Sequence, residues 1–236
     1  MKLHVGLDHE GQLPAFAAIT HGHASDLSVA RTLRFPAASI VVCDRGYLDY
    51  EWFKSLNDNG VFIVTRPKKD AVYKVVRRHR VNKNQGITSD QTILFNGVKP
   101  RQIHMPVMRR IGYRDPDSGK HYIFVTNAFH LSAKTISEIY KQRWQIEIFF
   151  KWIKQNLKIK SFIGTSRNAV MTQIWTALCT ALLLAYLKFT ARLGWSTQQI
   201  LRLLQINLFV RRDLMELLSG DPPKHDVYQS NQLLLV

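Results

Sequence analysis

An α/β fold is predicted from two observations. Strand-length apolar runs alternate with helical patterns between residues 2 and 65, and helical periodicity returns from Ser132 after an intervening stretch of hairpin-like sequence. Residues 2 to 20 read as a hairpin. KLHVGL alternates, DHEGQ turns at Gly11, and LPAFAAIT runs back. Asp26 is placed to N-cap a short helix, LSVARTLRF, that Pro36 stops. ASIVVC is a continuous apolar run ending on Asp44, a helix follows around YLDYEWFKSLNDNG, and VFIVTRP is a second buried strand. A strand pair followed by helix, strand, helix and strand describes layers with parallel neighbours.

The pattern then changes. RPKKDAVYKVVRRHRVNK, from Arg66 to Lys83, holds eight Lys/Arg and one Asp. Up to Asn127 the runs TILFNG, VMRRIGYRD and HYIFVTN sit around Asn-Gly and Asp-Pro-Asp-Ser-Gly turns, which predicts an all-β insertion. Ser132 is an N-cap candidate, with capping-box spacing at Thr135 and Glu138, and opens a helix expected to continue to about Leu157. Two further helices are predicted, over about 168–191 and 197–218. The tail DPPKHDVYQSNQLLLV is expected to be loose, with its last four apolar residues free to dock. The resulting division is 1–65 and 128–190 for the α/β core, 66–127 for the insertion and 191–236 for a helical end.

Composition narrows the function. Among 236 residues, 33 Lys+Arg face 17 Asp+Glu, a formal net charge of +16, so a polyanion is the leading partner. A content of 46% hydrophobic and 11% aromatic residues excludes disorder throughout. Cys43 and Cys179 make no disulfide framework and no CxxC metal spacing, which suits a reducing cytoplasm. The amino terminus has no apolar signal core. The longest apolar run, IWTALCTALLLAYL, has 14 residues where a span needs about 20, and reads as a buried helix, so no membrane is expected.

The chemistry concentrates on one helical stretch, ISEIYKQRWQIEIFFKWIKQNL. At about 100° per residue, Tyr140, Arg143, Glu147 and Lys154 fall within an arc of roughly 60° and form a polar stripe. Ile139, Ile146 and Phe150 wall one edge, and Trp144 and Ile148 the other. The plainer alternative is a solvated Glu147–Lys151 pair on a surface helix. Trp144 and Trp152 are expected to pack in the core rather than stack on bases. Asp44 closes an apolar strand, where open α/β sheets place their sites, although a turn or N-cap aspartate reads the same way. Together Asp44 and Glu147 suggest a Mg²⁺ site for phosphodiester chemistry.

VVCDRGYLDYEWF, TNAFHLSAKTISEIYKQRWQIEIFFKWIKQNLKIKSFIGTS and the spacing Y-x2-R-x3-E-x6-K closely resemble bacterial DDE transposases of the insertion-sequence-four type, over most of residues 2 to 190. The resemblance implies an RNase H-like catalytic core with a β-rich insertion and cut-and-paste transposition of an insertion sequence. Asp44 matches the family's second catalytic aspartate and Glu147 its glutamate, both binding Mg²⁺ or Mn²⁺. Tyr140, Arg143 and Lys154 match positions that grip the phosphates of the transposon end near a flipped base. The implied partners are transposon-end and target DNA and a second copy in a synaptic homodimer, in the bacterial cytoplasm at the nucleoid.

The family's first catalytic aspartate lies on a strand that here would precede Met1. Asp8 does not replace it, since six residues of strand at about 3.3 Å each separate it from the site. The His21-x-His23 pair reads as loop, not zinc ligands. The expectation is a truncated or wrongly started product that lacks the first strand and the end-recognition domain and does not cut DNA. The alternative function is a non-catalytic DNA-binding fragment able to inhibit a full-length transposase, supported by the charge of residues 66–83. A basic structural protein of a ribonucleoprotein is a third reading.

Overall fold

A computed structural model describes residues 1–220 apart from 9, 11, 12, 158, 160, 191 and 193. The chain divides into two compact units, Met1–Phe150 and Lys151–Val236.

The first unit opens with the expected hairpin, β1 (Lys2–Leu7) antiparallel to β2 (Pro14–Thr20), as a two-stranded sheet of its own. Its turn lies partly outside the described residues. The following helix α1 (Asp26–Ala30) starts one residue earlier than predicted, with Ser25 at the N-cap. Asp26 does not cap because its carboxylate is engaged elsewhere, by Lys2 at 2.8 Å and by the buried His4 at 3.1 Å. Thr20 Oγ1 lies 2.8 Å from the other nitrogen of that imidazole, so two hairpin side chains tie α1 down and the hairpin itself holds one of them in place.

A six-stranded sheet forms the body of this unit, in the order β3-β4-β8-β7-β6-β5. β3 (Ile40–Val42) and β4 (Phe62–Thr65) are parallel, joined through α2 (Tyr50–Asp58) as the apolar runs predict. Asp49 caps α2 by accepting from the Trp52 N–H at 2.8 Å. The strands of the basic middle segment, β5 (Tyr73–Arg78), β6 (Ile87–Phe95), β7 (Met108–Arg114) and β8 (His121–Thr126), are all antiparallel to their neighbours. β8 also pairs with β4, placing Val64 opposite Thr126, so these strands extend the same sheet.

The segment is not all-β. Asn96-Gly97, expected to turn a hairpin, instead leads into the one-turn helix α3 (Val98–Gln102). Gly97 is the N-cap, so Pro100 sits in the first turn, where its missing N–H leaves no helical hydrogen bond unmade.

Strand alternation gives the sheet two apolar faces. On one, Ile63, Ile93, Met108 and Val125 pack with Trp52, Phe53 and Leu56 of α2. On the other, Val64, Ile111, Tyr113 and Phe124 pack beneath Ile136 of α4 (Ala133–Gln142).

Ser132 caps α4 as predicted, accepting from the Thr135 N–H at 3.0 Å. The helix does not run unbroken to Leu157. It yields at Arg143 and Trp144 to α5 (Gln145–Asn156). There the N–H groups of Arg143, Trp144, Ile146 and Glu147 donate to carbonyls three residues back. These 3₁₀ steps turn about 120° each and eclipse residues i and i+3, so a constant 100° projection misplaces the residues beyond the junction.

In the second unit, α6 (Arg167–Thr190), α7 (Thr197–Ile206) and α8 (Leu214–Ser219) bury Leu184, Ile200, Leu201 and Leu218, with Trp152 and Leu157 against them. The helix predicted over 197–218 is thus two. Asn207 ends α7, its side-chain amide donating to the Leu203 carbonyl, and the Asp213 carboxylate opens α8 by accepting from Met215 and Glu216. α6 is buried along one face only. Ile174, Ala177, Leu178, Ala181 and Leu184 face inward, while Leu183, Tyr186 and Phe189 are exposed. At 24 residues it is long and apolar enough to cross a bilayer, though a single such helix is weak evidence for a span. The tail expected to be loose lies outside the described residues.

Candidate active site

The parallel pairing of β3 and β4 brings their carboxyl ends side by side, and each end delivers a charged residue, Asp44 and Arg66. Between them the chain is pinned, with Cys43 N donating to the Val64 carbonyl at 3.2 Å. The Cys43 thiol is buried, and desolvation pushes its pKa up to about 12, so it is no nucleophile.

Asp44 is a turn residue as well as a candidate site residue. Its Oδ1 accepts from the Gly46 N–H at 2.6 Å and caps the short 3₁₀ turn Arg45–Tyr47, as the plainer sequence reading expects. A Cβ on Gly46 would come 2.9 Å from that oxygen, so the glycine lets the carboxylate lie against the turn. Asp44 is exposed.

The α4–α5 junction supplies the other half. Tyr140 rests on Phe124, ring centroids 4.9 Å apart, and the Arg143 guanidinium lies 5.8 Å from the Tyr140 ring centroid, the i,i+3 overlap that a 3₁₀ step produces. Arg143 also donates to Glu147 Oε1 at 2.9 Å. The pair formed is therefore Arg143–Glu147, not the solvated Glu147–Lys151 pair. The Arg143 Nε is buried without a hydrogen-bond partner.

Electrostatics link the two halves. Desolvation works against the charge on Arg143, but the Glu147 hydrogen bond, Tyr140, Glu147 and Asp44 together raise its pKa. Burial raises the pKa of Tyr140 against the pull of Arg143 and Arg66, with Asp44 adding to the rise, so the phenol keeps its proton. Within the first unit, Tyr140 and Arg143 thus both feel the charge of Asp44, Tyr140 also that of Arg66 and Arg143 also that of Glu147.

Lys154 is exposed on α5, seven positions beyond Glu147. Trp144, expected in the core, is 57% exposed because the helix break turns it outward, whereas Trp152 packs in the second unit's cluster as expected. In the sequence Arg66 reads only as the start of a basic run. Its position right after an apolar strand, like that of Asp44, is the signal that marks it.

Two carboxylates offer hard oxygen donors suited to Mg²⁺, which takes one or two carboxylates and completes its shell with water and phosphate. Among the described residues no cluster of three or more His, Cys, Asp or Glu is arranged to hold a metal.

Residues 1–184 match the family model of the transposase DDE domain. The chain is 34% identical over 234 residues to y4zB of Sinorhizobium fredii, a protein named as a transposase, covering 95% of this chain and 64% of that one. It is 31% identical over 188 residues to a protein of Geobacillus stearothermophilus named as a transposase for insertion sequence element IS5377, covering 79% of this chain and 49% of the relative. A Synechocystis protein named as a transposase for element IS4SA is 25% identical over 214 residues, covering 87% and 58%. The chain therefore spans about half to two thirds of the length of these relatives.

Proposed function

We propose that this chain, which belongs to the transposase DDE-domain family, carries the part of a DNA transposase that holds divalent metal and the phosphates of the element's ends during cut-and-paste transposition. Membership implies an RNase H-like fold and, as is general for this domain, a divalent metal ion. On this reading Asp44 and Glu147 hold Mg²⁺ or Mn²⁺, which when bound supplies the activated water or 3′-hydroxyl and stabilises the leaving oxygen in hydrolysis and strand transfer.

The observation that carries the proposal is Arg143, hydrogen bonded to one acid, stacked on Tyr140 and within the field of the other acid. On this reading the Arg143 guanidinium, which donates to Glu147, would also grip a phosphate. Tyr140, kept protonated, donates a hydrogen bond beside it, and Arg66 and Lys154 add charge. Such contacts position the duplex and read no bases. Strand transfer of two ends calls for a homodimer in a synaptic complex, and the substrate places the protein at the nucleoid in the cytoplasm.

We read residues 66–127 as the insertion and the slot between β1 and β3 as the place of a further core strand. Support comes from the sheet order, since β1 pairs with β2 alone and β3 ends the other sheet. A second reading, a non-catalytic, DNA-holding role for residues 1–236 by themselves, is supported by the net charge of +16 and by the eight Lys/Arg of residues 66–83.

Mn²⁺ titration followed by electron paramagnetic resonance tests the site without relying on activity. The chain is expected to bind Mn²⁺, with Asp44→Asn and Glu147→Gln each weakening binding at least roughly tenfold. Gly46→Ala, which crowds the Asp44 carboxylate, should weaken it by less. Binding indifferent to Asp44→Asn and Glu147→Gln would sink the metal assignment. Nicking of plasmid DNA in Mn²⁺, absent in Glu147→Gln, would replace the holding role with catalysis.

A further inference from the structure

The six-stranded sheet has a polar region that the site above does not use. Register places Arg78, Gln91 and Arg110 side by side on β5, β6 and β7, on the same face as Ile93 and Met108 and opposite to α4. Further along this face come Ser89 beside Gly112, then His121 beside Arg114. α2 covers the apolar part of the face, while Arg78, Thr88, Arg114 and His121 are exposed. From strand spacing and rise, Arg78 and Arg110 are rooted about 10 Å apart and Arg110 and Arg114 about 13 Å apart.

None of these arginines forms an ion pair among the described residues. Arg110 donates to Ser89 Oγ and Gln91 Oε1, both at 3.3 Å, and lies 5.3 Å from the Tyr73 ring centroid, so neutral groups hold it in place without cancelling its charge. The same lack of ion pairs holds for the eight Lys/Arg of residues 66–83, whose strand β5 is the sheet's edge and carries a bulge that leaves Val76 exposed. Bulged, charged edges resist strand addition. The acids of the neighbouring turn are engaged: Asp115 accepts from the Asp117 N–H, and Asp117 pairs with Lys141.

The floor of the patch is shaped as well as charged. A Cβ on Gly112 would come 2.5 Å from Ser89 Oγ and 2.6 Å from Thr88 Oγ1, so the glycine lets two hydroxyls lie over the sheet. At its end a concavity of about 510 Å³ is lined by Lys83, Asn84, Gly86, Thr88, Arg114 and Asp115. Gly86, at φ +77°, could not carry a side chain there without meeting the Arg114 carbonyl oxygen.

We propose that this face, through Arg78, Arg110 and Arg114, is a second DNA surface that binds the phosphate backbone of a duplex on the side of the sheet opposite α4. It rests on the reading of the chain as DNA-holding. Guanidinium groups and hydroxyls, beside a concavity whose one lining carboxylate, Asp115, is buried, suit phosphate oxygens and supply no base readout, so the duplex is held without regard to sequence.

The test is fluorescence anisotropy of residues 1–236 with a 30-base-pair duplex of mixed sequence across a salt series. Each phosphate contact contributes a slope of about 0.9 in log K against log salt, so Arg78→Gln and Arg114→Gln should each lower the slope by about one and the triple change with Arg110→Gln by two to three. Mn²⁺ binding at Asp44 and Glu147 should be unchanged in all of them. The two single changes are at exposed positions and keep the test valid if the triple variant does not fold. Wild-type binding with an unaltered slope in the single variants would overturn this surface alone. Absence of salt-dependent duplex binding by the wild type would overturn the DNA-holding reading itself. Tighter binding of an RNA duplex with the same arginine dependence would reassign the surface to RNA.

Discussion

Two neighbouring arginines on β7 point to opposite faces of one sheet and meet opposite fates. Arg109, on the α4 side, is buried and bound through Nε and Nη2 to both oxygens of Asp90, at 2.9 and 2.7 Å, with its third nitrogen, Nη1, donating to the Leu131 carbonyl. Arg110, on the other side, leans on a serine, a glutamine and a tyrosine ring. A guanidinium taken out of water needs a carboxylate and filled hydrogen bonds, whereas one left at the surface can keep its charge for a ligand. Burial on one side of the strand and solvent on the other separate a structural cation from a binding one.

The contrast is broken most directly on the buried side. Asp90→Ala leaves Arg109 charged and unpaired under α4, and urea unfolding should show a loss of about 3–5 kcal/mol. Replacing both partners with apolar residues, Asp90→Leu with Arg109→Met, should recover most of that loss, because removing a buried pair costs far less than splitting it. A double variant as unstable as the single would show that the pair does more than satisfy itself.

Burial makes the next largest effect, on a thiol. Cys43 is raised from 9.0 to about 12 by desolvation, so the folded state keeps a proton that the unfolded chain gives up. Its contribution is fully present below pH 9 and declines as pH rises toward 12, by about 1.4 kcal/mol per unit. Tyr47, raised from 10.0 to about 12 mainly by burial, adds to the same alkaline decline. In Cys43→Ala the pH dependence of unfolding between 9 and 12 should flatten toward what Tyr47 alone imposes.

The smallest change is expected on the exposed side of the strand. Arg110→Ala should change stability by no more than about 0.5 kcal/mol while it weakens duplex binding. A loss as large as that of Asp90→Ala would make Arg110 structural too.

Much of the molecule is legible in the sequence because it depends on period. The hairpin of residues 2–20, the strands ending at Val42 and Thr65, α2, and Ser132 as the cap of α4 all follow from alternation, apolar runs and capping side chains, which act within a few residues. Asp44 and the Tyr140, Arg143, Glu147 stripe are legible as candidates for the same reason. Sequence misleads where a side chain's partner lies far along the chain or where helical pitch changes. Asp26 looks like a cap until Lys2 and His4 claim it, and Trp144 looks like core until four 3₁₀ hydrogen bonds re-aim it. Arg66, read in the sequence only as the start of a basic run, becomes a site candidate once β4 is seen to lie beside β3.

Net charge, most of the elements and the residue types gathered on α4 and α5 are readable from local order, because propensity, capping and periodicity act over a few residues. Which charge is cancelled and which is left open depends on strand register and on which face a helix covers. Arg109 and Arg110 are adjacent in sequence and alike in chemistry, and they are separated by an aspartate on the next strand and a helix on one side.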